Sequence, residues 1–349
     1  MRIKLTMLVF AIGISNIFAQ VNIGKSRSPQ NLYVSEHKQE TFDRIKKMET
    51  IFFIPNSIIH NEELKTQIKK VWTFNEITFV EEIKTDDSEE LYDFLTSYIS
   101  EDKMLIRLID NVYSKSKTGG IMGPEKRTVG FTISFKFKAF VFDNITKNKK
   151  GDLKFDETTI AEMFFTPNIR LRQDLAYSVG GKMKIGSFDK INAKYGEEPG
   201  FYNYNLGFVK NYFQELNQRL LDSQNLKIEG GIKKEDKIAE LKNKTLYAPE
   251  WVLMKYNAMA ATYGKTRTKE DLFGKYEHTY EVLPNADLNE KILEGDDFYY
   301  LMHTQFNQKK IISVIHSTTG EIIYLTEDGS YNLKDSDLKD LSKLINKVI

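Results

Sequence analysis

Two stretches of this chain follow the same order of elements, and that recurrence limits the fold more tightly than any single motif does. In the first stretch, residues 50–55 read as a short apolar strand closed by Pro55. Leu64, Ile68, Val71 and Trp72 then recur at helical spacing, and residues 77–80 form a second strand. Asp87 with Glu90 caps a second helix carrying Leu91, Phe94, Leu95, Tyr98 and Ile99. Residues 104–109 and 131–142 supply the third and fourth strands. In the second stretch, residues 245–249 are a strand closed by Pro249, and Thr268 with Asp271 caps a short helix bearing Leu272, Phe273 and Tyr276. Residues 279–283 form the next strand. Asp287 with Glu290 caps a helix whose Leu288, Ile292 and Leu293 face inward, and residues 298–306 and 311–316 complete the series.

The endings match as well. Each fourth strand runs into a turn, at 141–146 and at 314–319, followed by Gly151 or Gly320 and a return strand. Tyr202 and Asn203 precede a helical stripe of Val209, Tyr212 and Leu216, while Tyr331 and Asn332 precede Leu338, Leu341 and Ile345. The offsets from Tyr are seven, ten and fourteen residues in both copies. The expected fold class is α+β, as two tandem related units. Each is a mixed β-sheet with helices packed on it, in the order strand-helix-strand-helix-strand-strand-strand-helix. Boundaries follow: 20–47 is an N-terminal extension, and 48–221 is the first unit with an insertion at about 151–200. Residues 222–243 are a linker, and 244–349 are the second unit. Inside the insertion, 158–165 and 182–188 read as additional strands.

Residues 1–19 read as a signal peptide, with Arg2 and Lys4 before an apolar stretch and Ala19 at the cleavage point. The apolar stretch is shorter than the roughly 20 residues of a membrane span, and no later segment approaches one. The expectation is an exported protein, periplasmic or secreted, with no transmembrane segment after signal removal. Fifty Lys and Arg balance 49 Asp and Glu, which argues against a nucleic-acid partner held by counterion release. The absence of Cys excludes thiol catalysis, disulfides and Cys-ligated metal.

The order strand–helix–strand–helix–strand–strand in each unit, followed by a turn (Asp143 to Thr146 in the first) with a nearby Gly and then a closing helix, resembles the TolB amino-terminal domain, and residues 137–151 and 312–324 carry the likeness. The likeness covers most of both units, and no β-propeller repeats follow. It implies a protein-binding domain of the bacterial envelope, with no catalytic residues to carry over.

Motifs for chemistry are sparse, and no catalytic residue, metal-ligand set or cofactor is nominated. His303 and His316 would share a sheet face if their strands pair as a hairpin, about 7 Å apart or roughly twice that according to the loop. Gly264, Lys265 and Thr266 end like a phosphate loop, but Met259 stands where that loop needs Gly. Glu197 and Glu198 precede Tyr202, Asn203 and Tyr204, a set that would make an aromatic and acidic ligand surface for glycan. The segment holding Gly119, Gly120, Met122 and Gly123 reads as a hairpin tip suited to a partner protein. The functional expectation is a non-enzymatic envelope protein that binds or scaffolds another envelope protein. The alternative is a secreted glycan-binding protein or hydrolase using residues 197–204.

Overall fold

The structure, a computed structural model, describes residues 21–26, 32–55, 61–83, 88–113, 132–149, 151–171, 200–257, 262–306 and 309–348. The first half contributes β1 (Val21–Ile23), β2 (Lys25–Ser26), β3 (Val34–Ser35), α1 (Gln39–Ile45), β4 (Glu49–Ile54), α2 (Asn61–Val71), β5 (Ile77–Glu81), α3 (Ser88–Thr96), β6 (Lys103–Tyr113), β7 (Thr132–Lys147), β8 (Leu153–Phe165) and α4 (Leu206–Leu221). The second contributes β9 (Ile232–Lys233), α5 (Glu235–Glu240), β10 (Leu246–Pro249), β11 (Tyr256–Asn257), β12 (Thr262–Tyr263), α6 (Lys269–Phe273), β13 (Tyr280–Leu283), α7 (Asn285–Glu294), β14 (Tyr299–Phe306), β15 (Lys309–His316), β16 (Ile322–Asp328) and α8 (Asp335–Lys347).

The fold is α+β, built on two six-stranded mixed sheets. Their orders are β1-β8-β7-β6-β4-β5 and β9-β16-β15-β14-β10-β13, so each strand of one sheet has a counterpart of the same rank in the other. Within each sheet the first long strand pairs in parallel with two neighbours, and the remaining pairs are antiparallel. The parallel pairs need crossover helices, which α2, α3, α6 and α7 supply. Strand β4 reads as a continuous apolar run because both its faces are covered. Phe52 packs on Phe213 of α4, while Phe53 packs on Phe94 and Tyr98 at α3.

Several elements differ from the sequence expectation. The extension and the linker each contain an edge strand: β1 pairs with β8, and β9 pairs with β16. Strands of two or three residues carry too little periodicity to be read from sequence. The return strand β8 runs over residues 153–165, so the stretch assigned to an insertion begins with a central strand of the first sheet. Strand β7 passes straight through the expected turn at 141–146, where Asn144 at φ 54° and a register shift mark a bulge. The chain reverses instead between Asn148 and Gly151, the latter at φ 91°. Helix α7 starts at Asn285 behind Pro284, which places Asp287 in its first turn rather than at its cap. The Thr268–Asp271 capping box is present in full. Residues 1–19, Asp87 and 182–188 lie outside the described residues.

The two sheets are joined through α4. Adjacent residues of a strand point to opposite faces. Accordingly Tyr300 Oη donates to Asn211 of α4 at 2.9 Å, and Tyr299 Oη donates to Glu240 of α5 at 2.9 Å on the other side. Helix α4 thus lies between the sheets, its Phe213 on the first and its Phe208 stacked on Tyr300 of the second. A buried polar network locks this register. Asn203 accepts from Thr166 N at 2.6 Å and donates to Phe164 O at 3.0 Å and to Tyr212 Oη at 3.0 Å. Thr166 Oγ1 accepts from Gln305 N at 2.9 Å across the seam. Among the described residues, no helix is long and apolar enough to cross a membrane.

Candidate functional site

Beyond β10, Pro249 ends the strand and the chain makes a 3-10 turn (Glu250–Leu253) before the β11–β12 hairpin. Arg267 fastens this excursion. Its guanidinium donates to Val252 O at 2.7 Å, Leu333 O at 2.5 Å and Leu253 O at 3.3 Å. Asn332 pairs with the Tyr256 backbone through both ends of its amide, at 2.8 and 3.0 Å. The result is an open cleft of about 570 Å³ whose lining includes Lys255, Lys265, Arg267, Lys334, Asp271 and Asp335.

The charges in this cleft do not balance. Asp271 is engaged by Thr268 N at 3.0 Å, and Asp335 is paired with Lys275 at 2.5 Å. Among the described residues, no carboxylate lies within ion-pair distance of Lys255, Lys265 or Arg267. Burial lowers the pKa of Arg267, with Asp271, Asp335 and Asp337 opposing, but an arginine retains its charge. Its hydrogen bonds go to neutral carbonyls, so three cations line one cleft without a contacting counter-charge.

Lys255 also lines an adjoining aromatic recess at the seam of the two halves. Trp251 there stacks on Tyr202 with centroids 4.9 Å apart and on His303 at 5.6 Å. Gln305 and Tyr256 complete the wall. The recess holds only about 20 Å³, against 570 Å³ for the cleft, enough for one oxygen-bearing group. Trp251 is 5% exposed, and its Nε1–H is buried with no hydrogen-bond partner.

A second cleft, of about 610 Å³, opens beside the C-terminal half of α4. There Glu215 pairs with Arg219 at 2.9 Å and Lys234 with Glu321 at 2.5 Å. Burial raises the Glu215 pKa, Arg219 opposing. Because these charges already satisfy one another, the Lys255 cleft is the stronger candidate.

The structure separates the residues that the sequence grouped as a ligand surface. Tyr202 lines the recess. Tyr204 is wholly buried against Phe137, Phe165 and Phe201, where burial raises its phenol pKa, so it serves the core and presents nothing to a ligand. Glu197 and Glu198 lie outside the described residues, as do Gly119, Gly120, Met122 and Gly123. Residue Tyr299 faces His316 in the β14–β15 register, which sets His303 four positions away, about 13 Å along the strand. His303 is buried with Nε2 3.0 Å from Tyr331 O, and His316 sits 2.6 Å from Asp297. Among the described residues, no three His, Asp or Glu side chains gather as a metal-holding group. Sequence reading missed Trp251, Lys255, Arg267 and Lys334. Lys265 and Thr266 drew notice only as a failed phosphate loop, whereas one of only two tryptophans beside a lysine-rich loop was the available signal.

No protein-family model matches the chain, and no curated protein or solved structure is detectably similar to it.

Proposed function

We propose that this chain is a non-enzymatic, exported protein of the bacterial envelope that binds or scaffolds a partner through the Lys255–Lys334 cleft. The observation that carries the reading is the set of three cations in that cleft without a contacting carboxylate. Uncompensated charge at a concave surface is what a binding site for an acidic partner presents. The basic, apolar and small-residue order of 1–19 supports export, and the shared strand order of the two sheets supports descent from one duplicated, TolB-like unit.

A pull-down of the tagged mature chain from envelope extract tests this, run beside the double variant Lys255→Glu/Lys265→Glu. Both side chains are exposed, so the variant keeps the wild-type melting temperature. The expected result is a partner retained by the wild type and lost by the variant. Equal retention by both would remove the cleft from the binding surface, and no partner at all would end the scaffolding reading.

A further inference from the structure

We infer that the outer edge of β5 is a second docking surface, where a partner protein adds an extended, apolar segment with basic ends as a seventh strand of the first sheet. This edge stands apart from the Lys255–Lys334 cleft, whose lining comes from the second half of the chain.

Buried or paired backbone groups close a sheet edge, and unpaired ones invite another chain. Among the described residues the two sheets have four edges, and three are blocked. Ile23 of β1 exchanges backbone hydrogen bonds with Leu226 at 2.7 and 2.9 Å. Strand β9 is only two residues long. On β13 the outward carbonyl of Val282 accepts from Lys269 Nζ of α6 at 3.3 Å. Strand β5, the counterpart of β13, is open. Its parallel register on β4 uses Glu76 O, which accepts from Thr50 N at 2.8 Å, and Glu82 N, which donates to Ile54 O at 3.2 Å. Backbone groups alternate in direction along a strand, so those of Ile77, Phe79 and Glu81 point away from β4. Among the described residues these N–H and C=O groups have no hydrogen-bond partner.

Side chains along the edge set the chemistry of the added segment. Ile77, Phe79 and Val80 are half-buried. The Phe79 ring meets Phe52 at 5.8 Å on one face, and Val80 packs on the other against the cluster that holds Phe53. A further strand lengthens both apolar strips, which suits β-branched or aromatic residues. Residues 76–82 hold three glutamates and no cation. Glu82 pairs with Arg107 at 2.5 Å, and Glu81 shares Lys65 with Glu62. Exposed Glu76 has no ion pair among the described residues. A second copy of β5, laid antiparallel about Phe79, would set Glu76 opposite Glu82 at both ends, and like charges placed so repel. The edge therefore disfavours itself and favours lysine or arginine at the ends of a foreign segment.

Fluorescence anisotropy on the full mature chain tests this, with a labelled heptapeptide of alternating valine and threonine ended by lysines as the probe. Only one side of an added strand meets β5. N-methylating one alternate set of peptide residues is therefore expected to weaken binding about tenfold or more, and N-methylating the other set to leave it unchanged. That pair of peptides requires no change to the protein. Glu81→Pro removes an outward N–H at an exposed position, and it is expected to weaken binding about fivefold at an unchanged melting temperature. Glutamate ends in place of lysine are expected to weaken it about threefold or more. No binding of the lysine-ended peptide, or equal losses from both methylation patterns, would overturn the inference. So would a wild-type dimer in sedimentation that Glu81→Pro dissolves, which would give the edge to a second copy. Lys255→Glu/Lys265→Glu is expected to bind the peptide as the wild type does, so cleft and edge are read separately.

Discussion

Helices α4 and α8 close their sheets at the same rank in the chain order, yet eleven of the sixteen residues of α4 are buried and only four of the thirteen of α8. Both carry the stripe that a sheet requires: Val209, Tyr212 and Leu216 in one, Leu338, Leu341 and Ile345 in the other. The difference lies on the back. Helix α4 presents Phe208, Asn211 and Gln214 to the second sheet, whereas α8 turns Lys339, Asp340 and Lys343 outward. One apolar stripe makes a closing helix, and a second, mixed apolar and amide surface turns that helix into the joint between two sheets. A polar outer back then ends the stack, as capping elements do in repeat proteins.

The strongest way to break this comparison is to remove the second sheet. A chain ending at residue 221 exposes Phe208, Asn211 and Gln214 and also loses the Thr304 and Phe306 contacts of Asn203 and Phe164. It is expected to lose cooperative unfolding and to aggregate, which circular dichroism melting and size-exclusion chromatography would show. Independent folding of that fragment would mean that the back of α4 is dispensable. Next in size is Phe213→Ala, which empties a site among Phe52, Trp72 and Phe137 and is expected to cost about 3–5 kcal/mol in urea unfolding. Asn211→Ala acts on the other surface of the helix. It strands Ser317 O and Tyr300 Oη, both buried partners, at a cost of about 1–3 kcal/mol. Gly320 gives a second probe of the same contact, since it sits at φ 72° and a Cβ there would meet Asn211 O at 2.3 Å.

Helix and long-strand periodicity made both sheets legible, because stripes such as Leu64–Ile68 or Leu288–Ile292 repeat within one element. The matched Tyr offsets also placed both closing helices, each starting four residues after Tyr202 or Tyr331. The joint was not legible. Seeing that α4 serves two sheets requires knowing that the second sheet stacks on its back, a contact between residues about ninety positions apart, as in Asn211 and Tyr300. The candidate cleft stayed hidden for a similar reason. Lys255, Arg267 and Lys334 come together only because Arg267 ties Val252, Leu253 and Leu333, and single lysines on loops look alike in sequence.

The edge straps differ in a way that pH can expose. Ahead of α1, His37 is buried against β8 with its ring near Ile160 O, and burial lowers its pKa below 6.5 while the Ile160 and Thr159 carbonyls oppose. No histidine lies in 230–240, the corresponding strap of the second sheet. A base with a lowered folded pKa binds fewer protons folded than unfolded, so its contribution is complete above 6.5 and is lost as pH falls through the folded value. Between about pH 7.5 and 5.5 the wild type is expected to lose more melting temperature than His37→Gln. Parallel curves would show that the imidazole titrates freely and that the strap opens.

The smallest expected effect is also the sharpest control. Lys343 on the back of α8 pairs with Asp340 at 3.2 Å, and both side chains are about two-thirds exposed. An exposed pair at this spacing gains little over hydration, so Lys343→Ala is expected to change stability by no more than about 0.5 kcal/mol. Asn211→Ala, also on the back of a closing helix, is expected to cost several times that. If the two variants cost the same, the back of α8 is engaged in solution as the back of α4 is, and a copy of the chain or a partner continues the stack beyond it. A near-zero value for Lys343 beside a clear loss for Asn211 fixes α8 as the end of the stack and α4 as its joint.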